Sequence, residues 1–256
     1  MNPAKGQLID LHTHILPGVD DGAGDLDEAL AMARLAQADG VAHIVATPHV
    51  PFCGLGCEAL QERLNALRCL MASHQLNVQV SLGAEIDLEP GILHWLADGA
   101  ACPIGSTRYI LVELPFFGYP PFTEETIFQL QVQGYRPILA HPERNAELAS
   151  TPYRLGPLVE RGVLVQLTTT SLLGGFGPQV RNAAVEFLQR GWVHILASDA
   201  HSANHRPPVL SEAVRAAEKM VGERAWDLVT TNPAAVLNGG DVEPPRPAKK
   251  ARRWLG

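Results

Sequence analysis

Residues 8–22 read LIDLHTHILPGVDDG, and the fold turns on how this stretch is parsed. A short, mostly apolar run breaks into His12-Thr13-His14, and Asp20 and Asp21 follow within one loop. A buried strand favours Val, Ile and Leu and has no use for two imidazoles at its exit. The same grammar recurs along the chain. Period and composition predict strands at about 7–11, 43–47, 78–83, 108–113, 136–140, 163–167 and 193–197. Amphipathic stretches such as LDEALAMARLAQADG (26–40) and CEALQERLNALRCLMASH (57–74) lie between them, with apolar residues three and four apart. Gly40, Gly134, Gly162 and Gly191 fall where such helices should end, which suits a left-handed cap. Near-continuous apolar strands alternating with helices predict parallel strands under a helical cover. Seven such units without a break in composition predict one α/β domain over residues 1–243, a (β/α)7 TIM-like barrel, with an open doubly wound sheet as the alternative.

The residues just after each strand carry the functional signal. The first strand is followed by His12, His14 and Asp21, the second by His49, the third by Glu85, and the fourth ends on Glu113. The fifth runs into HPER, giving His141 and Arg144, and the seventh into SDAH, giving Asp199 and His201. One histidine at a strand end is ordinarily structural. Imidazoles and carboxylates at the same end of six of seven strands are not, because in a parallel barrel those ends form one face. Histidine and carboxylate without cysteine suit zinc, manganese or iron, and this many donors imply two to three ions. Such ions lower the pKa of water and bind phosphoryl oxygens. Arg144 and Arg206, in HPERN and HSANHRPP, add guanidinium forks that match a phosphate. The expected substrate is therefore a phosphate monoester.

Composition narrows the field. The 256 residues are 46% hydrophobic, ample for a core, and carry a formal charge of −7. Residues 244–256, PPRPAKKARRWLG, hold five basic residues and no acids, so residues 1–243 carry −12. An acidic body argues against nucleic acid as a partner. The tail reads as disordered and solubilising, with anionic lipid or an acidic kinase segment as the other partner it would suit. No signal-peptide core precedes residue 10, so a cytoplasmic location and four reduced cysteines (Cys53, Cys57, Cys69, Cys102) are expected.

Two decoys are set aside. Cys57 to Arg63 and Cys102 to Arg108 match the Cys-x5-Arg spacing of thiolate phosphatases. The first lies in helix formers without glycine, and the second leads into a strand instead of out of one. A barrel amidohydrolase also starts with His-x-His, but none of the four lysines (5, 219, 249, 250) ends a predicted strand to serve as its carboxylated bridge. TTTSLLGGFG (168–177) offers hydroxyls and glycines to border a pocket, with an ordinary loop as the preferred reading, and ELPFFGYPPF (113–122) offers rings for an aryl group or for the barrel rim.

The series DLHTHILPGVDDGAGD, ATPHV, GAEI, ILVELPF, ILAHPERN, ASDAHS with RPP, and NPAAVLNG resembles the PHP-superfamily protein-tyrosine phosphatases encoded with bacterial capsule and exopolysaccharide genes. The resemblance implies a distorted seven-stranded barrel and a trinuclear, usually manganese-dependent centre. It implies His12, His14, Asp21, His49, Glu85, Glu113, His141, Asp199 and His201 as metal ligands, Arg144 and Arg206 as phosphate-binding residues, and Asp20 as loop support. The implied substrate is phosphotyrosine on a bacterial tyrosine autokinase. The chain differs from members at VPFCGLGC (50–57) and TTTSL (168–172), both beside the expected pocket. Two other functions share these residues: a phosphatase of small monoesters such as histidinol phosphate, and a non-catalytic module that binds the kinase tail.

Overall fold

The computed structural model describes residues 7–243; the basic tail lies outside them. Nine parallel strand segments form: β1 (Leu8–Thr13), β2 (Val41–Ala46), β3 (His49–Val50), β4 (Gln79–Leu82), β5 (Glu85–Asp87), β6 (Tyr109–Glu113), β7 (Arg136–Ala140), β8 (Leu164–Thr168) and β9 (Ile195–Ala197). β1 pairs with β2 and β2 with β4, while β3 starts a second run through β5, β6, β7, β8 and β9. Backbone bonds join the two runs into seven staves. Gly83 N donates to Ala46 O (2.8 Å) and Glu85 N to Pro48 O (3.0 Å), so β2–β3 and β4–β5 are each one interrupted stave. The barrel closes where β9 returns to β1, through Asp199 N to His12 O (2.9 Å), His14 N to Ala200 O (2.8 Å) and a Thr13–Ala200 bridge. The α/β barrel expected from sequence is the observed architecture, and the open sheet is excluded.

The interruptions have local causes. Pro48 has no N–H to continue the β2 ladder. A Cβ at Gly83 would lie 3.1 Å from Val45 Cγ1 and 3.4 Å from Thr47 Cγ2, so the staves touch at a backbone that lacks a side chain. Both breaks re-aim the chain just before His49 and Glu85.

Side chains alternate between two cores. Leu11, Val45, Leu111, Ile138, Leu164 and Ile195 fill the barrel interior. Ile44, Ala46, Ile110, Val112, Leu139, Val165 and Leu196 face the outer helices. The main helices are α1 (Leu26–Asp39), α2 (Cys57–Ser73), α3 (Ile92–Asp98), α4 (Thr123–Val132), α5 (Ala146–Ser150), α6 (Gly156–Glu160), α7 (Thr169–Leu173), α8 (Pro178–Arg190), α9 (Ser211–Val221) and α10 (Thr231–Leu237). Asp25 caps α1 by accepting from Glu28 N (2.9 Å), and all four glycines assigned to helix ends have positive φ. Among the described residues no helix is long and apolar enough to cross a membrane.

One expectation is corrected. Cys57 and Cys102 are joined in a disulfide, leaving Cys53 and Cys69 as free thiols. The start of α2 packs on the segment before β6, with Cys57 N bonded to Gly99 O (2.8 Å), and this brings the two Cα atoms to 5.6 Å. Spacing along the chain carries no sign of that packing. The bond also removes Cys57 and Cys102 as thiolate nucleophiles.

Candidate metal centre

The strand ends meet at one mouth, and β1 supplies it through a bulge. Asp10 lies beside Ile44 and Thr13 beside Ala46, so β1 has one residue more than β2 across this step. Leu11 packs in the interior core, whereas Thr13 follows the outward-facing Ala46. The extra residue thus passes the inward direction from Leu11 to His12 and His14. The strand runs on to Thr13, two residues beyond the sequence expectation, and the first imidazole lies within it.

Each imidazole is tethered on its far side. His12 Nδ1 lies 3.0 Å from Gln166 Oε1, and His14 Nδ1 lies 2.7 Å from Asp20 Oδ2. Both Nε2 atoms therefore face the centre, 3.1 Å apart. Glu85 Oε2 lies 3.1 Å from His12 Nε2 and 3.3 Å from His14 Nε2. Asp199 Oδ1 lies 3.4 and 3.5 Å from the same atoms. Imidazole lone pairs aimed at each other and at two buried carboxylates repel unless a cation or protons sit among them. His14 is accordingly held well above its ordinary pKa: burial opposes this, but Asp199, Asp20 and Glu85 outweigh it. The set His12, His14, Glu85 and Asp199 has the donor chemistry and spacing for a divalent ion.

Two further sets adjoin it. His14, Asp21, His49 and His201 bring ligand atoms within 4.8 Å of one another, as do His49, Glu85 and Glu113. His141 Nε2 reaches Glu85 Oε1 at 2.9 Å and Glu113 Oε1 at 3.5 Å. All nine histidines and carboxylates singled out in the sequence thus lie in one cluster. Asp21 is 59% exposed, 3.3 Å from His201 Nε2, and that contact lowers its pKa. Asp20 instead also accepts from Gly22 N (3.0 Å) and His49 N (3.1 Å), so it braces the loop. Burial together with the neighbouring Glu85 raises Glu113 to about 8. Burial works against ionising Glu85, but His12, His14 and His141 hold it well below the usual carboxylate range.

Asp199 joins this cluster to the arginines. Its Oδ1 faces the histidines, while Oδ2 accepts from Arg144 Nη1 (2.7 Å) and contacts Arg206 Nη2. Asp199 and His141 have φ of 53° and 27°, left-handed conformations that non-glycine residues rarely adopt and that gather at functional sites. The arginine carbons sit over rings: Arg144 is 4.6 Å from both Phe116 and Phe176, and Arg206 is 5.5 Å from Phe176. TTTSLLGGFG therefore borders the site, the second of its two sequence readings and not the preferred one of an ordinary loop. Phe52 stands exposed with its ring 6.4 Å from that of His49, and Phe117 is exposed next to Phe116 in sequence.

Sequence reasoning missed the braces. Gln166 holds both His12 and the backbone N of His141 (3.3 Å), and Asp10 Oδ1 accepts from Ser198 N (3.0 Å). Glu143 Oε1 accepts from Thr168 N (3.0 Å), fixing the HPER turn to β8. Burial raises Asp10 to about 6 and Glu143 to about 7. The one visible signal of Asp10 and Gln166 was a polar residue inside an apolar run, and Glu143 lies in the polar HPER turn, where nothing in the sequence sets it apart. Of the other histidines, His43 pairs with Ser81, His194 pairs with Val165 N, and His205 is exposed next to Arg206 in sequence.

A closed parallel barrel with histidines, carboxylates and two arginines at its carboxyl mouth defines a metal-dependent hydrolase type of site. Residues 8–238 match the family model described as capsular polysaccharide synthesis, CpsB/CapC, and the chain belongs to that family. It is 35% identical to the tyrosine-protein phosphatase YwqE of Bacillus subtilis, over 96% of this chain and 98% of that protein. It is 27% identical to the tyrosine-protein phosphatase CpsB of Streptococcus pneumoniae, over 90% of this chain and 98% of that protein. A crystal structure reported with YwqE and CpsB as unique metal-dependent tyrosine phosphatases superposes with a TM-score of 0.89 at 35% identity, covering 95% of this chain and all of that one. The β-aspartyl dipeptidase of Fervidobacterium islandicum shares the fold alone, with a TM-score of 0.58 at 17% identity over 95% of this chain and 76% of that one.

Proposed function

We infer that this protein is a metal-dependent phosphotyrosine phosphatase acting on a bacterial tyrosine kinase of capsule or exopolysaccharide synthesis, in the cytoplasm. The observation that carries the reading is the convergence of nine imidazoles and carboxylates with two arginines in one mouth. Similarity to YwqE over nearly the full length of both chains supports it.

Three ligand sets would hold two to three divalent ions, manganese foremost, with iron and zinc as alternatives. His12, His14, Glu85 and Asp199 form the first, and His14, Asp21, His49 and His201 the second. His49, Glu85 and Glu113 form the third, with His141 beside it. Bound ions supply Lewis acidity toward phosphoryl oxygens and lower the pKa of water. Arg144 and Arg206 bind the phosphoryl oxygens and hold phosphorus in line for attack by water. Asp199 keeps both guanidinium groups beside the ligand sets. A phenolate leaves with a pKa near 10, so the demand for a general acid is modest. Phe52, exposed with its ring 6.4 Å from that of His49, leaves this side of the site open, which suits a polypeptide better than a small enclosed monoester.

Hydrolysis of a phosphotyrosine peptide should exceed that of histidinol phosphate in kcat/KM. Arg144→Ala should lower kcat/KM for the peptide by about a hundredfold. The reverse preference would make the protein a small-monoester phosphatase. Absence of turnover in wild-type protein, with the peptide still bound, would make it a kinase-tail-binding module.

A further inference from the structure

The loop between α7 and α8, Gly174-Gly175-Phe176-Gly177, supplies no metal ligand, yet it is shaped to deliver one ring to the arginines. Gly174 and Gly177 have φ of +93° and +90°, conformations that side chains disfavour. A Cβ at Gly175 would lie 2.5 Å from Thr170 Cγ2. Gly175 N bonds to Thr170 O (2.9 Å) and Gly177 N to Gly174 O (3.0 Å), which folds the loop back on α7. Phe176, half-buried, then has the Arg144 guanidinium carbon 4.6 Å and that of Arg206 5.5 Å from its ring centroid.

The two guanidinium groups meet at a single carboxylate oxygen, Asp199 Oδ2. Two like charges at one acceptor repel, and one carboxylate cannot fix both planes. A π-face attracts each cation and restricts its orientation. Phe116 stands 4.6 Å from Arg144 but is not paired with Arg206, so Phe176 is the ring common to both.

We propose that Phe176 is a positioning residue that holds Arg144 and Arg206 as a preformed clamp for a phosphate dianion. The proposal rests on the reading of those arginines as phosphate-binding. Phe176 meets none of the reacting atoms, so its contribution falls chiefly on anion affinity and KM. A clamp ordered before binding spares the ligand the cost of immobilising two long side chains.

The test compares wild-type, Phe176→Leu and Phe176→Tyr proteins, each with its metal content measured. Calorimetry reads binding of inorganic phosphate, and steady-state kinetics reads hydrolysis of a phosphotyrosine peptide. Leucine keeps apolar volume without a π-face; tyrosine keeps the face. Phe176→Leu should weaken phosphate binding and raise KM by about tenfold, with a smaller fall in kcat and with metal content and melting temperature unchanged. Phe176→Tyr should match wild type. Undiminished phosphate binding in Phe176→Leu would overturn the proposal. So would equal losses in both variants, or a loss confined to kcat or accompanied by lost metal. A wild-type protein that binds phosphate but hydrolyses no peptide would refute the phosphatase reading alone, and the ratio of phosphate affinities would still decide the clamp.

Discussion

Gln166 shows what one side chain contributes to this centre. It is fully buried on the only stave whose end offers neither imidazole nor carboxylate, and it orients His12 from behind. Gln166→Leu should lower metal affinity by about 10- to 100-fold without unfolding the barrel; a metal titration showing wild-type affinity would refute this role. His194 plays a structural part, accepting from Val165 N at 3.1 Å between β8 and β9. Burial lowers its pKa from 6.5 to about 4. As pH falls, the unfolded chain therefore takes up this proton first. The corresponding stability, about 3 kcal/mol at most, is present above 6.5 and lost progressively toward 4. Urea unfolding at pH 7 and pH 5 should show a smaller pH dependence in His194→Gln than in wild type. The nine clustered histidines and carboxylates were legible because such residues have little reason to end an apolar strand. Gln166 and Asp10 were not, because one polar residue inside such a strand marks no partner.

At the scale of elements, the bulge in β1 and the turn after it decide whether the centre forms. A Cβ at Gly22 would lie 2.0 Å from His14 O, backbone that cannot move aside cheaply. Gly22→Ala should therefore displace the loop carrying Asp20 and Asp21, lowering metal affinity more than melting temperature. Equal metal binding by this variant and wild type would contradict that account. The Cys57–Cys102 bond spans 45 residues and joins α2 to the segment before β6. Its reduction should cost about 2–4 kcal/mol, read as a lower melting temperature in a phosphine reductant, with Cys102→Ser insensitive to that reductant. Strand positions were readable from composition, and the helix-end glycines from their spacing. The breaks at Pro48 and Gly83 were not, because they arise where neighbouring staves touch. The disulfide was hidden for the same reason, since its cysteines meet only after α2 has docked.

The whole molecule is a scaffold that holds several charges of like sign close together at one mouth. Seven staves close into a ring, so side chains from β1 through β9 converge although they are nearly two hundred residues apart in sequence. Without a bound cation, protons compensate part of this charge: His14 is held well above its ordinary value and Glu113 is raised to about 8. Metal binding near pH 7 should then release protons, and affinity should rise with pH up to about 8. Calorimetry in buffers of different ionisation enthalpy measures that release, and none would contradict the assignment of these two groups. The barrel and the carboxyl-end location of the site were readable from alternation alone, whereas the clamp of rings around the arginines needed the folded loops. The most direct measurement of the central claim is hydrolysis of a phosphotyrosine peptide before and after chelation, with metal content followed throughout. Activity should vanish as the metal is stripped and return on adding manganese. Full activity in protein shown to be metal-free would contradict the account.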